Sequence, residues 1–556
     1  MLDRLSKLRA GLDRAVFFVK TLRATEVIEP IRLARLVQLV RAARHTKLGP
    51  HLAVMFHAAA HPDKEAIVDE GEPGTVPRRL TWGQLDASIN RLAHALVARG
   101  AGAGSRVAVM LPNGSEYLIA QQALARLGAT AVQIGYRLKA AEIGYILDNA
   151  SPAATVVLAD YLPAMRDART ATGKGGPMLA VGGSAPDAVA WETALAGESP
   201  DAPPRSRGGD GGGVIIYTSG TTGKPKGANR KWSHTGFDSV ADLMVQVGMK
   251  ANERHLVVCP LYHSAAPAFV AITAALGATC VLMPHFDPEG ALAIIERERI
   301  TSTLMVPTML VRISNLSTAT LAKYDTSSLR WVMSGAAPLA TDTARRFMER
   351  FGPILWNFYG STETGIVTLA GPHDHVARPG TIGRRVRGNE IALLDDAGHP
   401  VPPGDVGELF ARNTTLISGY HANDAATAAA QRDGFYTVGD LGRVDADGFY
   451  YLESRKHDMV ISGGVNIYPR EIEDALVTHP AILEAAVIGV PDPEWGETLR
   501  AFIVVRDGQH VTEQEIIDYC RRELADYKRP RQVTVLAELP RNPTGKILKR
   551  ELREIP

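Results

Sequence analysis

The stretch YTSGTTGKPKG, residues 217–227, concentrates glycines, hydroxyl side chains and two lysines directly after the apolar run of residues 214–216. Backbone N–H groups of a glycine-rich turn point into a concavity that suits phosphate oxygens, and hydroxyls and lysines add further donors. The stretch does not match the Walker A pattern, because Gly220 and Gly223 are only three residues apart and Pro225 follows Lys224. It therefore predicts a phosphate-binding loop of another kind, held by a strand. The alternative is an ordinary surface turn.

Further motifs follow this stretch in the order of a known superfamily. They are PLYHSAAPAF (260–269), SGAAPL (334–339), NFYGSTETG (357–365), GELFARNTTLISGY (407–420), YTVGDLG (436–442), SRKHDMVISGGVNIYPREIE (454–473) and PRNPTGKILKREL (540–552). Together they resemble the signatures of the adenylate-forming superfamily, which contains acyl-CoA synthetases, peptide-synthetase adenylation domains and luciferases. The resemblance runs from about residue 52 to the C-terminus and is closest to the acyl-CoA synthetase or fatty-acid–CoA ligase branch. Eight motifs in register make a chance match implausible.

This resemblance implies a two-step activation of a carboxylic acid. A carboxylate resists nucleophiles because it would have to expel oxide, so its oxygen first attacks the α-phosphorus of ATP and pyrophosphate leaves. The thiolate of CoA then attacks the acyl-adenylate. Charge builds on the phosphoryl oxygens in the first step, so the site needs fixed cations and hydrogen-bond donors there.

The resemblance also assigns roles to residues of this sequence. Lys546, Thr218 and Glu363 are the expected catalytic residues: Lys546 supplies the cation for adenylation, and Glu363 with Thr218 holds Mg²⁺, which prefers oxygen ligands. Tyr359 is expected to stack on adenine, and Asp440 to accept hydrogen bonds from the ribose hydroxyls. The full ATP-binding set comprises Thr218, Ser219, Gly220, Thr221, Thr222, Gly223, Lys224, Gly335, Ala336, Ala337, Asn357, Phe358, Tyr359, Gly360, Ser361, Thr362, Asp440, Arg455 and Lys546.

The second step is expected to need a hinge motion of a small C-terminal domain. Rotation would withdraw the lysine and bring Ser462, Gly463 and Gly464 to the site, where bare glycine backbone lets the pantetheine arm of CoA pass. The two glycines also suit a hairpin turn. The expected pivot is His457, where relatives usually carry Asp or Lys, since a pivot needs a tolerant backbone more than a particular charge.

The acyl pocket is expected at Trp232, Phe237, His263 and Phe269. The aromatic residues suit a hydrophobic core equally well, and a histidine beside an apolar run is as readily a core residue as a pocket residue. Some long-chain relatives place an aromatic gate four residues after this histidine. Here that residue is Pro267, so the sequence does not predict a gated fatty-acyl tunnel.

The elements that must position these residues alternate between helix-like and strand-like stretches, which predicts an α/β fold. One alternation spans about residues 80–160 and a second begins near residue 212, with a Pro/Gly-rich connection at 199–213 between them. From about residue 380, short strands with glycine turns predict a β-barrel-like subdomain, and after residue 455 the pattern is α+β. The predicted domains are an extension (1–50), a large adenylation domain with two α/β sheets and the barrel-like part (51–455), and a small mobile domain (456–556).

The charge distribution argues against nucleic acid as a partner and allows two interpretations of the N-terminal segment. The 61 basic and 60 acidic residues give a net charge of +1, so no attraction to nucleic acid is predicted. Residues 1–50, however, carry eleven basic and four acidic side chains with apolar residues at helical spacing. This basic amphipathic segment either makes a peripheral membrane contact through residues 1–48 or packs on its own domain.

The remaining patterns favour a cytoplasmic location, with contact at the inner face of the membrane as the alternative. No run of 18 apolar residues exists, and AVFFV, near the N-terminus, lacks the cleavage site of a secretory signal. The three cysteines are far apart and show no paired spacing, which suits a reducing compartment.

The sequence thus predicts an ATP- and Mg²⁺-dependent acid:CoA ligase whose acid is a medium- or long-chain fatty acid. A fatty acyl-AMP ligase that loads a separate carrier protein and a CoA ligase for aromatic or sterol-like acids are alternatives. An inactive acyl- or nucleotide-binding membrane adaptor is the alternative from another class. The presence of all four polar residues Lys546, Glu363, Asp440 and Arg455 argues against the adaptor, because an idle site has no need of all four.

Overall fold

The computed structural model describes residues 17, 20–26, 49–72, 74–203, 211–218, 225–233, 236–462, 465–542 and 545–556. Packing divides the chain into two compact units. The first unit contains residues 1–304, 316–332 and 413–429, and the second contains residues 305–315, 333–412 and 430–556. Each unit is therefore built from more than one chain segment. The domain boundary between residues 455 and 456 stays a prediction.

The strands of the described residues are numbered in chain order. From residue 65 to residue 305 they are β1 Glu65–Asp69, β2 Arg78–Thr81, β3 Arg106–Met110, β4 Thr130–Gln133, β5 Ala154–Leu158, β6 Met178–Val181, β7 Ala188–Ala190, β8 Gly213–Thr218, β9 Lys226–Lys231, β10 Arg254–Val257, β11 Thr279–Leu282 and β12 Ser302–Met305. From residue 331 onward they are β13 Trp331–Ser334, β14 Leu355–Ser361, β15 Gly365–Ala370, β16 Thr381–Arg385, β17 Glu390–Leu394, β18 Gly407–Arg412, β19 Gly419–Tyr420, β20 Gln431–Arg432, β21 Phe435–Val444, β22 Tyr450–Arg455, β23 Val460–Ser462, β24 Val465–Ile467, β25 Ile482–Asp492, β26 Gly496–Val505 and β27 Gln532–Val535.

The α-helices lie between these strands. They are His51–Ala60, Trp82–Ala98, Ser115–Leu127, Ala140–Ala150, Leu162–Thr172, Trp191–Leu195, Phe237–Val247, Ala265–Ala275, Pro288–Arg297, Pro307–Ser314, Thr318–Leu321, Thr341–Phe351, Pro372–Ala377, Asp424–Ala430, Pro469–Val477, Glu513–Glu523 and Lys549–Arg553. Short 3₁₀ turns occupy Ala159–Tyr161 and Asp526–Lys528.

A largely parallel sheet forms one half of the first unit. Its strand order is β19-β9-β8-β4-β3-β5-β6-β7. The strands β8, β4, β3, β5, β6 and β7 are parallel to one another. Helices cover such sheets on both faces, which is why the strands read as continuous apolar runs such as VAVM in β3. The four residues of that run, 107–110, are fully buried. The predicted alternation of helix and strand is confirmed.

The helix Trp82–Ala98 illustrates how local sequence sets these elements. The Thr81 hydroxyl accepts the Gln84 N–H at 3.3 Å, and the Gln84 side chain accepts the Thr81 N–H at 2.9 Å, which forms a capping box. Leu85, Ile89 and Leu92 then recur at helical spacing and are buried. The cap and the apolar face together explain why this stretch is helical.

A second group of strands in the first unit is tied by a buried carboxylate. Strands β12, β10, β11 and β1 pair in parallel, and β2 closes the group in the antiparallel sense. The Glu298 carboxylate, 4% exposed, accepts from the Arg79 guanidinium at 2.6 Å and from Arg254 at 2.5 Å. Arg79 lies on β2 and Arg254 on β10, so this one carboxylate holds two strands of the group. Removing a buried charge that has several partners leaves those partners unpaired, which destabilises the fold.

The second unit contains the antiparallel β structure that the sequence predicts after residue 380. Strands β17, β18, β21, β22, β16, β15 and β14 are neighbours in this order and pair antiparallel. Their core comprises Tyr359, Val367, Ile382, Leu393, Leu409 and Ala411. Tyr359 of this core is also a predicted nucleotide contact, so the packing of the sheet and the expected site share a residue.

The C-terminal part of the second unit is α+β, as predicted. Strands β24, β23, β26 and β25 pair antiparallel and β27 joins β26 in parallel. Side chains alternate along β25: Val487 faces the cluster that contains Ile472 and Ile516 of two helices, and Ile488 faces the cluster that contains Leu552. Both faces of the small sheet are therefore covered.

A short part of the basic N-terminal segment is described and packs on the first unit. Phe17, Thr21 and Thr25 are buried, the Thr25 carbonyl accepts the Ala251 N–H at 2.7 Å, and Glu26 pairs with Lys250. Residues 1–16 and 27–48, where most of the predicted amphipathic pattern falls, lie outside the described residues. In the described part of the chain, no helix combines the length and apolar character needed to cross a membrane.

Two buried histidines predict acid sensitivity of the first unit. Burial lowers the pKa of both His51 and His255 from 6.5 to about 3. Their charged forms are disfavoured in the fold, so their contribution to stability is complete above pH 6.5 and is lost as the pH falls towards 3. At pH 5.5 each histidine should lower the free energy of unfolding by about 1.4 kcal/mol relative to its value well above pH 6.5.

We therefore expect His51→Leu to reduce the loss of thermal midpoint between pH 7.5 and pH 5.5. Both ring nitrogens of His51 lack a hydrogen-bond partner among the described residues, so the change should cost little at pH 7.5. The exposed His399 provides the control, because His399→Leu should leave the acid sensitivity of the wild type intact. Equal losses in wild type and His51→Leu would contradict the prediction.

Candidate active site

The glycine-rich stretch of the first unit follows a paired strand, as the sequence predicts. Strands β8 and β9 pair antiparallel from Gly213 with Lys231 to Thr218 with Lys226, so residues 219–225 connect the two strands. The Thr218 hydroxyl donates to the Lys226 carbonyl at 3.4 Å. The predicted phosphate-binding residues Ser219, Gly220, Thr221, Thr222, Gly223 and Lys224 lie outside the described residues.

The second unit brings several predicted site residues together around the carboxylate of Asp440. Asp440 on β21 lies opposite Arg455 on β22, and the Arg455 Nε lies 3.2 Å from Asp440 Oδ1. The other oxygen, Oδ2, accepts the hydroxyl of Tyr359 on β14 at 2.8 Å. Burial, reinforced by the Asp440 charge, raises the pKa of Tyr359 well above 10, so its hydroxyl stays a donor. The carboxylate thus links three strands and retains capacity to accept further hydrogen bonds.

Lys546 lies in the electrostatic field of the same cluster. Burial lowers the pKa of its ammonium to about 8, and the Arg455 charge acts in the same direction. The charges of Asp440, Asp458 and Glu363 oppose this shift. The fold therefore collects one lysine, one arginine and several carboxylates from four separate motifs of the second unit. Such a collection of charges that perturb one another is typical of functional sites.

Glu363 occupies a tight hairpin between β14 and β15. The Ser361 hydroxyl accepts the Glu363 N–H and the Thr364 N–H, both at 3.1 Å, which shapes the turn. Gly360 is required just before it, because a Cβ there would lie 1.9 Å from the Gly365 carbonyl oxygen. The local sequence YGSTETG therefore builds a rigid turn that presents one carboxylate.

The donor set around Glu363 fits Mg²⁺ as a cation shared with phosphate. A carboxylate oxygen suits this hard cation, which usually takes one or two protein ligands together with waters and phosphate oxygens. Among the described residues no group of three or more His, Cys, Asp or Glu side chains forms a metal cage. Glu363 would hold the ion in concert with a bound triphosphate; the predicted second ligand, Thr218, belongs to the first unit.

The segment after β13 has an unusual backbone at the predicted base-binding residues. Gly335 packs directly on Phe358, since a Cβ on Gly335 would lie 2.4 Å from that ring. Ala336 has φ of +67°, a left-handed conformation that is costly for a residue with a Cβ, and Ala337 follows it. Such strain is typical of segments that present backbone groups to a ligand. Asn357 contributes a buried side-chain oxygen that has no hydrogen-bond partner among the described residues.

The predicted pivot His457 lies two residues after the end of β22. Its Nε2 lies 3.7 Å from Asp458 Oδ2, and Asp458 in turn pairs with Arg553 at 3.1 Å. Burial lowers the pKa of His457. The preceding Lys456 pairs with Asp396 at 2.8 Å and Glu408 at 3.1 Å. Of the predicted CoA-side segment, Ser462 pairs with Val465 in the β23–β24 hairpin, and Gly463 and Gly464 lie outside the described residues.

The predicted acyl-pocket residues occupy different environments of the first unit. Trp232 is buried and donates its Nε1–H to the Ala129 carbonyl at 2.9 Å, and Phe269 is fully buried 6.3 Å from the Trp331 ring. Phe237 is half exposed. Burial lowers the pKa of His263 to about 3, and its Nε2 has no hydrogen-bond partner among the described residues. Their assignment to an acyl pocket remains a prediction.

Sequence reasoning missed the residues that shape the turn carrying Lys546. Asn542 and Arg541 both bond to the backbone beside this lysine. Both belong to the motif PRNPTGKILKREL, so the motif itself was the available signal. Their role depends on contacts with main-chain atoms, which residue types do not reveal.

Comparison with known proteins identifies the family. The profile of the AMP-binding enzyme family matches residues 55–421, and that of the AMP-binding enzyme C-terminal domain matches residues 471–546. The chain belongs to the AMP-binding enzyme family. The resemblance to the acyl-CoA synthetase branch of the adenylate-forming superfamily is thereby confirmed, and so is the predicted class, an AMP-forming acid–thiol ligase.

Relatives of this AMP-binding enzyme cover nearly its whole length. The feruloyl-CoA synthase of an Amycolatopsis species is 37% identical over 92% of this chain and 97% of its own. The long-chain-fatty-acid–CoA ligase FadD13 of Mycobacterium tuberculosis is 34% identical over 89% of this chain and 96% of its own. The solved structure of the anthranilate CoA ligase AuaEII in complex with anthranoyl-AMP matches with a TM-score of 0.82 at 27% identity, over 92% of this chain and 97% of that one.

The charge environment of Lys546 predicts an altered titration. In the free protein, the rate of Lys546 acetylation by acetic anhydride should rise with a midpoint near pH 8 rather than 10.5, because burial and Arg455 disfavour the ammonium. Arg455→Gln should raise this midpoint, and Asp440→Asn should lower it. Mass spectrometry of the labelled peptide measures the rate, with exposed lysines of the same digest for normalisation. A wild-type midpoint near 10.5, or shifts of opposite sign, would refute the prediction.

Proposed function

We propose that this AMP-binding enzyme is an ATP-dependent acid:CoA ligase that activates a medium- or long-chain fatty acid. The observation that carries the proposal is the convergence of Lys546, Arg455, Asp440 and Glu363 in the second unit. The acid and ATP form acyl-AMP and pyrophosphate, and CoA then forms the acyl thioester and releases AMP and a proton.

In the first step, Asp440 accepts the ribose hydroxyls while it keeps its bonds to Tyr359 and Arg455. A carboxylate offers about four lone-pair positions, and the two protein donors use two of them. Tyr359 is thereby oriented beside the base on which we propose its ring stacks. Arg455 retains further N–H donors for the ribose and the phosphates. The nucleotide is thus oriented before any chemistry takes place.

Lys546 supplies the mobile positive charge of the adenylation step. Its ammonium stabilises the negative charge that develops where the acid oxygen attacks the α-phosphorus and pyrophosphate leaves. With a pKa of about 8 in the free protein, the lysine is mostly protonated at pH 7, and bound phosphates favour the charged form further. Glu363, with Thr218 as the proposed second ligand, would hold Mg²⁺, which would neutralise charge on the phosphate oxygens. Residues 219–224 would contribute backbone and side-chain donors to the same phosphates.

For the thioester step we propose that the part of the chain from about residue 456 onward rotates about His457. This division into residues 51–455 and 456–556 is supported by the separate match of the C-terminal domain profile. Rotation would exchange Lys546 for the segment of Ser462 with its two following glycines, which leaves space for the pantetheine thiol.

The class of acid has a second candidate. Similarity to a feruloyl-CoA synthase and to a structure with bound anthranoyl-AMP supports an aromatic acid, and Pro267 in place of an aromatic gate suits a short, wide substrate. Similarity to a long-chain-fatty-acid–CoA ligase supports the fatty acid.

A carrier protein in place of CoA is a candidate acceptor, and a catalytically inactive membrane adaptor is the candidate from another class. We also propose a cytoplasmic location, which suits three buried cysteines that form no disulfide.

A panel of acids tests this proposal directly. The purified protein is mixed with ATP, Mg²⁺, CoA and either fatty acids of increasing length or cinnamic and benzoic acids, and thioesters are identified by mass. We expect thioesters of fatty acids and a pyrophosphate yield equal to the AMP yield. Aromatic thioesters alone would replace the fatty-acid assignment, acyl-AMP without thioester would indicate a carrier-protein acceptor, and absence of pyrophosphate release would support the adaptor.

The pivot makes a further prediction about the two half-reactions. His457→Pro restricts φ at the junction, so one of the two arrangements should be lost while the other persists. Adenylation is measured by pyrophosphate release without CoA, and thioester formation from supplied acyl-adenylate and CoA. We expect one rate to fall by at least about tenfold and the other to stay within about twofold. Unchanged rates in both assays would exclude His457 as the pivot.

A further inference from the structure

The peptide unit between Gly545 and Lys546 is held on both of its polar sides. The Lys546 N–H donates to the Asn542 side-chain oxygen at 2.9 Å. The Gly545 carbonyl, on the opposite side of the same peptide plane, accepts from the Arg541 guanidinium at 2.5 Å. The plane of a peptide fixes the position of the following Cα atom, from which the side chain extends. These two bonds therefore determine where the Lys546 side chain begins.

Arg541 is itself oriented by a carboxylate from a distant strand. Its Nη1 contacts the Gly545 carbonyl, and its Nη2 lies 2.7 Å from Oε1 of Glu484 on β25. Both side chains are largely buried, with 24% and 21% exposed. A planar guanidinium can span a carbonyl and a carboxylate with its fixed fork of donors, whereas an ammonium cannot reproduce that geometry. Arg541 thus connects the turn to the rigid sheet of the C-terminal part.

The backbone conformation of Gly545 also suits these hydrogen bonds to the Gly545–Lys546 peptide. Gly545 has φ of +80°, and a Cβ there would lie 2.7 Å from the Thr308 hydroxyl. The Asn542 N–H donates to the Lys546 carbonyl at 2.9 Å, and Arg541 and Ile547 form a β-bridge. The bridge and the asparagine bonds close the turn without the Arg541 side chain. The guanidinium therefore adds orientation to a turn that other contacts already form.

We propose that Arg541, braced by Glu484, is a positioning residue that aims Lys546 for the adenylation step. The inference rests on the proposed function of Lys546. It assigns to Arg541 no contact with substrate: the guanidinium holds the carbonyl of the preceding residue, and the lysine ammonium reaches the field of Asp440, Glu363 and Arg455 from that fixed origin. A displacement of about 1 Å at a reacting group can cost about 100-fold in rate.

Half-reaction kinetics of Arg541→Met, Glu484→Gln and Lys546→Ala test the proposal. Adenylation is followed as single-turnover acyl-AMP formation, and the thioester step from supplied acyl-adenylate and CoA. We expect Arg541→Met to lower the single-turnover rate constant of adenylation about 10- to 100-fold, with the half-saturating concentrations of ATP and acid within about twofold. Glu484→Gln should have a smaller effect in the same direction. The thioester step should stay within about twofold in both variants.

A matched control separates positioning from general damage to the C-terminal part. Arg500 in β26 also donates to a chain carbonyl, that of Ile555, at 2.9 Å, but not to the turn of Lys546. We expect Arg500→Met to leave adenylation within about twofold of wild type. We also expect the alkaline limb of the adenylation rate to move to higher pH in Arg541→Met. A lysine that leaves its buried position regains a pKa closer to 10.5, which a purely structural role would not produce.

The double variant Arg541→Met/Lys546→Ala decides whether the arginine acts through the lysine. If it does, adding Arg541→Met to Lys546→Ala should change adenylation by less than about twofold, because nothing remains to be aimed. Additive losses, equal losses in both half-reactions, or an Arg541→Met rate equal to that of Arg500→Met would overturn the inference. A Lys546→Ala protein with wild-type adenylation would instead refute the proposed function, so the two failures are distinguishable.

Discussion

The carboxylate of Asp440 is the interaction on which the candidate site depends. It receives Arg455 from the neighbouring strand and the hydroxyl of Tyr359 from β14, so a single buried anion orients a cation and an aromatic ring. A buried carboxylate is stable only when its oxygens are satisfied, and here both are. The same anion also acts on Lys546, which arrives from a motif about one hundred residues later in the chain. Structure and proposed chemistry therefore rely on the same bonds.

The electrostatics of the cluster suit the cation that we propose moves between the two half-reactions. Burial and Arg455 weaken the ammonium form of Lys546, while Asp440, Asp458 and Glu363 support it. These influences act in opposite directions, and a bound triphosphate would favour the charged form further. A lysine locked in one strong ion pair would be costly to withdraw for a second step. The balance among several partners is thus consistent with alternation between two half-reactions.

Features that depend on residues close in sequence could be predicted, whereas contacts between residues far apart in sequence could not be predicted from the residues alone. Strand and turn signals are local, so the β8 strand before the glycine-rich stretch and the alternation of helix and strand over about residues 80–160 followed from their own residues. Asp440 and Lys546 were predicted only through the family resemblance, because their meeting depends on tertiary folding. The role of Arg541 was missed because its guanidinium binds a main-chain carbonyl and is oriented by Glu484, which lies 57 residues away in the sequence. The deep burial of His51 was also unforeseen, since a histidine usually stays at least partly hydrated.

Single-turnover acyl-AMP formation with Lys546→Ala tests whether the Lys546 ammonium activates the acid on ATP. The protein is mixed with ATP, Mg²⁺ and an accepted acid in the absence of CoA, and acyl-AMP is quantified by mass against wild type. We expect a loss on the order of 100-fold or more, with thioester formation from supplied acyl-adenylate preserved. Acyl-AMP formation at the wild-type rate in Lys546→Ala would contradict it.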